Sequence, residues 1–487
     1  MSAWPAQPNR PTAWHPAVGA TGGFARLNPR GSRRTALWIG GLICILVAEG
    51  FAISHSYMWG APLAAILFIA VATDLPIVPF LGVTLFVRVV TDNTGSANSH
   101  HSSSLGLAGV IAALIILAAI GPLVRRQGGA RPALLALLWL CVWTGVAVHT
   151  NGASTETIRE GVREASVVAL AVLVYNTRGG VSVPTATRLV QFIGVVPACL
   201  ALYQFATHTG LDIAGQIRAN GTFVHPNSAA IFFAVAATVS LWRFLDNGRR
   251  RSDALLTVLF AAALIATFSI GGLLSLFVML ITLGALRPGS IRAKLGAVAV
   301  ASFLILAFLA TPLGAERLAQ ESKSNVVSAE RGEPNSSFAW RLNRWQALLP
   351  EWEQSPLLGQ GLGTTVTAEA TLSDRLAGKL PHNEYLRYLV ETGIVGVATI
   401  LCGLGVLIRA LVRRRRIPGT LAAGTLNAAT LALAVVAGCL FDALADNVFT
   451  TSITGYAAGL IVASVLTIPA VDARRRTAAR VAALPAT

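Results

Sequence analysis

The sequence predicts an all-α, polytopic transmembrane protein, and three observations carry that prediction. More than half of the 487 residues are apolar (54%) and only 12% are charged, with a strongly positive mean hydropathy; no ordinary soluble domain has this balance. Apolar runs of roughly 17–22 residues, the length that crosses a hydrocarbon core as a helix, recur along nearly the whole chain. Between them, arginines gather in clusters rather than spreading over a surface.

Taken in order, the apolar runs number about 14, or about 12 if two long ones do not divide. Ten are read at residues 36–53, 105–124, 133–148, 167–175 (the shortest), 189–205, 228–244, 295–313, 394–412, 421–441 and 453–468. Residues 59–90 and 254–286 are each long enough for a tight helical hairpin, split near Asp74-Leu75-Pro76 and near Ser269-Ile270-Gly271. The expected organisation is a disordered cytoplasmic tail over residues 1–35, helices through residues 36–312, a long loop over 313–392, further helices over 393–470 and a cytoplasmic tail over 471–487. The tail is rich in Pro, Gly and Arg without apolar periodicity. The apolar segment beginning at Ala36 is too long for a signal peptide and lacks a small-residue cleavage site.

A net charge of +16 invites a nucleic-acid reading, but the placement of the charges argues for topology instead. Clusters stand at Arg125-Arg126, Arg249-Arg250-Arg251, Arg287 with Arg292 and Lys294, Arg413 to Arg416, and Arg474-Arg475-Arg476. Counting from a cytoplasmic N-terminus puts all of them on the cytoplasmic side, as expected for a multi-pass protein of the cell membrane with both termini inside. No nucleic-acid partner is expected. The outer side receives residues 91–104, 149–164, 208–227, the long 314–390 region and 442–452, which are the candidate working surfaces.

The five cysteines, Cys44, Cys141, Cys199, Cys402 and Cys439, lie apart inside apolar runs and have no metal-ligand spacing, so neither a metal nor a cofactor is expected. Ionisable residues within spans are few, and Glu49, Asp74, Arg88, Arg243 and Arg409 fall towards span ends. With no internal repeat, a transporter is the weaker alternative.

Two outer segments hold the remaining polar information. Arg218-Ala219-Asn220-Gly221-Thr222-Phe223-Val224-His225-Pro226-Asn227 leads into a helix. Its arginine is placed to hold phosphate or to anchor a loop at headgroups, and Asn227 is also a good helix N-cap. In the long loop, Phe338, Arg341, Leu342, Trp345, Leu348, Leu349 and Trp352 recur at helical spacing, predicting an amphipathic helix at the membrane surface. A glycine-rich turn, Ser355 to Gly363, follows, and then Pro381-His382-Asn383-Glu384-Tyr385-Leu386. His382 stands where loop becomes helix, and the helix N-terminus favours a neutral imidazole able to accept a proton.

These pieces resemble the O-antigen ligase and Wzy-type polymerase group, membrane glycosyltransferases that use polyprenyl-diphosphate-linked sugars. The resemblance rests on Arg218-x-x-Gly221 through His225-Pro226-Asn227, on Arg341-x-x-x-Trp345 with Ser355-Pro356-Leu357-Leu358-Gly359-x-Gly361, and on His382-Asn383-x-Tyr385-Leu386 with Glu391-x-Gly393. It implies a GT-C-like fold and a metal-independent, inverting transfer from a polyprenyl-diphosphate-linked glycan to a hydroxyl of a glycan, lipid or protein acceptor at the outer face of the bilayer. His382 would be the general base, and Arg218 and Arg341 would hold the diphosphate. His225, Asn227, Arg344, Trp345, Asn383, Glu384 and Tyr385 are the implied substrate-binding residues. Many relatives carry a basic residue after the hairpin serine where this chain has Ser269-Ile270-Gly271; Arg159, Arg163 and Arg344 are the candidate substitutes. Asp442, Asp446 and Asn447 are further candidates for orienting an acceptor hydroxyl. A polymerase shares the same motifs, and a non-catalytic glycan-binding relative is a third reading.

Overall fold

A computed structural model describes residues 77–92, 106–124, 130–151, 155–176, 181–213, 216–246, 249–286, 337–367, 381–415 and 427–467, together with isolated positions between 290 and 319. The two tails and the predicted spans at 36–53, 59–76 and most of 295–313 lie outside the described residues.

The described chain is helical apart from one short ribbon. In order, the helices are α1 (Ile77–Val90), α2 (Gly106–Val124), α3 (Ala130–Asn151), α4 (Thr155–Asn176), α5 (Val183–Thr207), α6 (Pro226–Asp246), α7 (Arg251–Ala266) and α8 (Ile270–Leu286). After these come α9 (Ser337–Gln354), the single turn α10 (Thr364–Thr367), α11 (Glu384–Arg415), α12 (Ala428–Asp442) and α13 (Ser452–Leu466). Between α5 and α6, β1 (Leu211–Ile213) pairs antiparallel with β2 (Gln216–Arg218), Leu211 opposite Arg218. This ribbon is the one strand pairing among the described residues, in a fold that is otherwise helical as expected. Three-residue strands carry too little alternation to be read from sequence.

Among the described residues, helices α5, α6 and α11 are long and apolar enough to cross a membrane, and six shorter apolar helices accompany them. The chain is an integral membrane protein. Within the bundle α6 is central, with 78% of its most apolar window buried, whereas only 11% of that of α11 is. Phe232, Phe233 and Val235 of α6 are fully buried, while Leu401 and Val406 of α11 are exposed, the pattern of a helix facing lipid. The α7–α8 hairpin turns at Thr267–Ser269, where the sequence places it.

The hydrogen bonds and ion pairs at its helix termini give the bundle two chemically different ends. At one, Arg415 donates to the Leu286 carbonyl at the end of α8, Arg414 to that of Val465 in α13, and buried Arg243 pairs with Asp253 between α6 and α7. Arg249–Arg251 and Arg413–Arg415 lie here. At the other end meet the N-termini of α4, α6, α8, α11 and α13 and the C-termini of α1, α5, α7 and α12.

One expectation is corrected at that second end. Residues 149–164 were expected to form an outer loop with a short helix after it, but α3 runs to Asn151 and α4 begins at Thr155. Arg159, Glu160, Arg163 and Glu164 recur at three- and four-residue spacing and so share a helical face. Glu160 and Glu164 on that face meet the buried Arg387 inside the protein.

The other local departure from regularity is a break in α11 at Gly393, whose backbone is left-handed (φ 61°, ψ −172°). A kink frees helical hydrogen-bonding groups that lipid cannot satisfy. The glycine-rich turn satisfies them: Ile394 and Val395 donate to the Pro356 and Leu357 carbonyls, and Gln360 and Gly361 donate to those of Val390 and Glu391. Trp143 of α3 then donates to both Leu358 and Thr392 carbonyls, and Gly361 sits so close to α3 that a Cβ there would lie 2.1 Å from Ala147 Cα. The glycine-rich turn is therefore a splint for the kink, with its donors engaged, and not a phosphate cradle. At Gly393 an added Cβ would meet the Leu357 oxygen at 2.3 Å. Gly393→Ala should lower the melting temperature of the purified protein, the backbone conformation alone costing on the order of 1–3 kcal/mol; unchanged melting would show that the kink is dispensable.

Candidate functional site

His382 is the second of three consecutive residues that are each fixed by a different neighbour. The Pro381 carbonyl accepts a hydrogen bond from the Trp345 indole of α9 at 2.8 Å. His382 itself adopts a left-handed backbone (φ 51°), a conformation that costs a non-glycine residue on the order of 1 kcal/mol or more. Asn383 caps α11, its Oδ1 accepting from the Leu386 amide at 3.0 Å. The first turn of α11 is then bound to the end of α12: the Glu384 amide donates to the Ala443 carbonyl and Tyr385 Oη to that of Leu440, at 2.9 and 2.8 Å.

This docking sets the distance between His382 and the loop after α12. His382 Nδ1 lies 2.9 Å from Asp446 Oδ1, and the same oxygen accepts from the Asn447 amide. Burial alone would raise the Asp446 carboxyl, but the His382 hydrogen bond and the neighbouring positive charges outweigh it and hold the group below the usual carboxylate range. An ionised Asp446 takes the Nδ1–H of the imidazole and leaves Nε2 as the atom through which His382 accepts a proton.

The Arg218–Asn227 segment forms the facing wall. Its loop is anchored from four sides: Asn220 and Gly221 amides donate to Gln204 of α5, the Ala219 amide to the Ala266 carbonyl, Thr222 to that of Val89, and the Val224 amide to Asp92, which pairs with Arg88. Arg218 is only 3% exposed; its Nε donates to the Thr267 carbonyl at the α7–α8 turn and its Nη2 to Asn227 Oδ1 at 2.7 Å. The side chain of Asn227 is thereby fixed, and the Asn227 backbone N–H donates to His225 Nδ1 at 3.2 Å. The rings of His225 and His382 are 6.0 Å apart. Burial, with Arg218 and Arg341 close by, holds His225 down at about 4, so this imidazole is neutral near pH 7. Arg341, from α9, acts electrostatically on both His225 and Asp446, and its Nε is buried without a hydrogen-bond partner.

The structure thus brings together His382, His225, Asn227, Arg218 and Arg341 of the residues predicted from sequence, and adds Asp446 as the partner of His382 itself. It assigns the others differently. Arg344 is fully buried and donates to the Thr365 carbonyl. Trp345 and Asn383 hold the His382 backbone, Tyr385 holds α12, and Glu384 is fully buried between Arg387 and the amides of Phe449 and Thr450. These five residues build the site from behind. Arg163, proposed as a substitute phosphate ligand, pairs with Glu160. Asp442, one turn before Asp446, accepts from Ser275 of α8 through Oδ1 and has its Oδ2 buried without a hydrogen-bond partner. Among the described residues, no cluster of three or more His, Cys, Asp or Glu has the geometry to hold a metal ion.

Fold and site together define a helical membrane protein with a histidine–aspartate pair beside arginines at one end of its bundle. Residues 255–401 match the family model described as O-Antigen ligase, a match to part of the chain that supports a relationship to the O-antigen ligase/Wzy-type family. The match supports a membrane enzyme of the ligase or polymerase type that acts on glycans. The matched segment contains Arg341 and His382 and leaves Arg218, His225, Asn227 and Asp446 outside it. No curated protein matches the chain.

Proposed function

We propose that the protein transfers a glycan from a polyprenyl-diphosphate carrier to an acceptor hydroxyl, without a metal ion and with inversion, at the outer face of the cell membrane. The observation that carries this reading is the His382–Asp446 pair at 2.9 Å, with His225 and Arg341 close by. In the reaction His382 Nε2 takes the acceptor's hydroxyl proton while the oxygen attacks the anomeric carbon. The bond from that carbon to phosphate breaks, and polyprenyl diphosphate departs with the electron pair. Arg341, with an unpartnered Nε, is the cation best placed to meet the developing phosphate charge. Arg218 supports the reading less directly, since two of its nitrogens are spent on Thr267 and Asn227.

The two ends of the bundle support the outer orientation. Arg249–Arg251 and Arg413–Arg415 lie at the end opposite His382, and basic clusters favour the cytoplasm. The acceptor class is read from the lipid-linked pool of cells lacking the protein. Long lipid-linked chains accumulate if it is a ligase and single repeat units if it is a polymerase. An unchanged pool would count against both.

A further inference from the structure

The candidate site holds two imidazoles, and only one of them is needed as a base. We propose that His225 is a second catalytic residue, whose Nε2–H donates a hydrogen bond to the same acceptor hydroxyl that His382 deprotonates. The inference rests on the reading of His382 as the base and goes beyond it by giving the acceptor oxygen two protein contacts.

The tautomer comes first. The Asn227 amide can only donate, so His225 Nδ1 must be the accepting nitrogen, and a neutral imidazole then carries its proton on Nε2. Burial among Arg218, Arg341 and His382 keeps the ring neutral, so that nitrogen stays a donor throughout the reaction. His382 has the opposite arrangement: its Nδ1 faces a carboxylate, so its Nε2 is the accepting atom. One donor and one acceptor therefore stand on neighbouring rings.

The spacing comes second. Two hydrogen bonds of about 2.8 Å that meet at one oxygen near the tetrahedral angle place the ring centres roughly 6.4 Å apart, and closer for a narrower angle. The observed separation is 6.0 Å, with the rings tilted at 54°. A hydroxyl bridging them donates its proton to His382 and accepts from His225, and its remaining lone pair then has a single direction. Fixing that direction is the work of an orienting group, since misplacement by about 1 Å costs on the order of 10²-fold in rate. The anchoring of the 219–225 loop on four sides is consistent with such a demand.

The test compares His225→Gln, which keeps an amide donor, with His225→Leu, which does not. Glycan transfer is measured in membranes of the source cell whose only copy carries the variant. Binding of polyprenyl diphosphate is measured on the purified proteins. The expected result is a loss on the order of 10²-fold for His225→Leu, substantial rescue by His225→Gln, and diphosphate binding unchanged in both, while Arg341→Ala weakens it roughly tenfold or more. Equal loss in the Gln and Leu variants would overturn the proposal, as would full activity of His225→Leu. If His225→Leu weakens diphosphate binding as Arg341→Ala does, His225 contacts phosphate and the proposal falls. Activity retained by His382→Ala would instead overturn the reading of the base, so the two failures are distinguishable.

Discussion

Replacing His382 by alanine should reduce glycan transfer by about 10²–10⁴-fold, the usual contribution of a positioned general base, while the protein still inserts and accumulates. The expectation of normal accumulation is structural. The residues that hold α11 in place are its neighbours: Asn383 caps the helix, Glu384 and Tyr385 bind the end of α12, and Trp345 binds Pro381. The His382 ring is 23% exposed and is hydrogen-bonded to Asp446 in a loop outside α11. Alanine also relieves none of the left-handed strain at this position, so any gain or loss in stability should be small. Asp446→Asn should cost less than His382→Ala, because the amide still occupies the space but no longer fixes the tautomer that presents Nε2 as acceptor. Polyprenyl diphosphate should bind both variants as it binds the wild type. A His382→Ala protein that transfers glycan at the wild-type rate would remove the base from the mechanism, whatever Asp446 does.

The helical membrane class was legible because it depends on composition and run length, which tolerate local error. The α7–α8 hairpin was legible at its turn, and α9 was legible from the spacing of Trp345, Leu348 and Trp352. What failed was any inference that a charged stretch is a loop. Residues 155–164 are helical because Glu160 and Glu164 meet Arg387, a partner more than two hundred residues away that no local pattern announces. Arg344 failed for the same reason, since an arginine on an amphipathic helix is ordinarily at the surface and this one is fully buried. The histidine at the start of α11 could be singled out from its position, and Asp446 was visible as an outer carboxylate. Their pairing was not, because it is made by the docking of α11 onto α12. The same limit applies to the Gly393 kink, whose meaning depends on the Pro356–Gly361 segment lying alongside it.

Arg387→Met should be the most damaging single change to stability. Arg387 is fully buried and meets Glu384 at 2.6 Å, Glu164 at 2.8 Å, Glu160 at 3.3 Å and Glu391 at 3.7 Å, with its guanidinium 4.4 Å from the centre of the Tyr388 ring. Four carboxylates from α4 and α11 thus converge on one cation, with Arg163 on Glu160 as further support. Removing one partner of a buried ion pair typically costs about 3–5 kcal/mol, because the other charge remains without compensation, and here several would remain. Lysine should not substitute, since a single ammonium cannot direct donors along the separate lines that the planar guanidinium reaches. The damage should also reach the candidate site, because Glu384 holds the Phe449 and Thr450 amides beside the loop carrying Asp446. Melting of detergent-purified protein, followed by size-exclusion fluorescence, measures the effect. Adding Glu384→Gln and Glu164→Gln to Arg387→Met distinguishes charge from packing: if unpaired carboxylates are the cause, the triple variant recovers part of the lost stability, and if lost packing is the cause it does not. Wild-type melting of Arg387→Met alone would mean that the four carboxylates are neutralised without it, and the cluster could not then be the bond that joins α4 to α11.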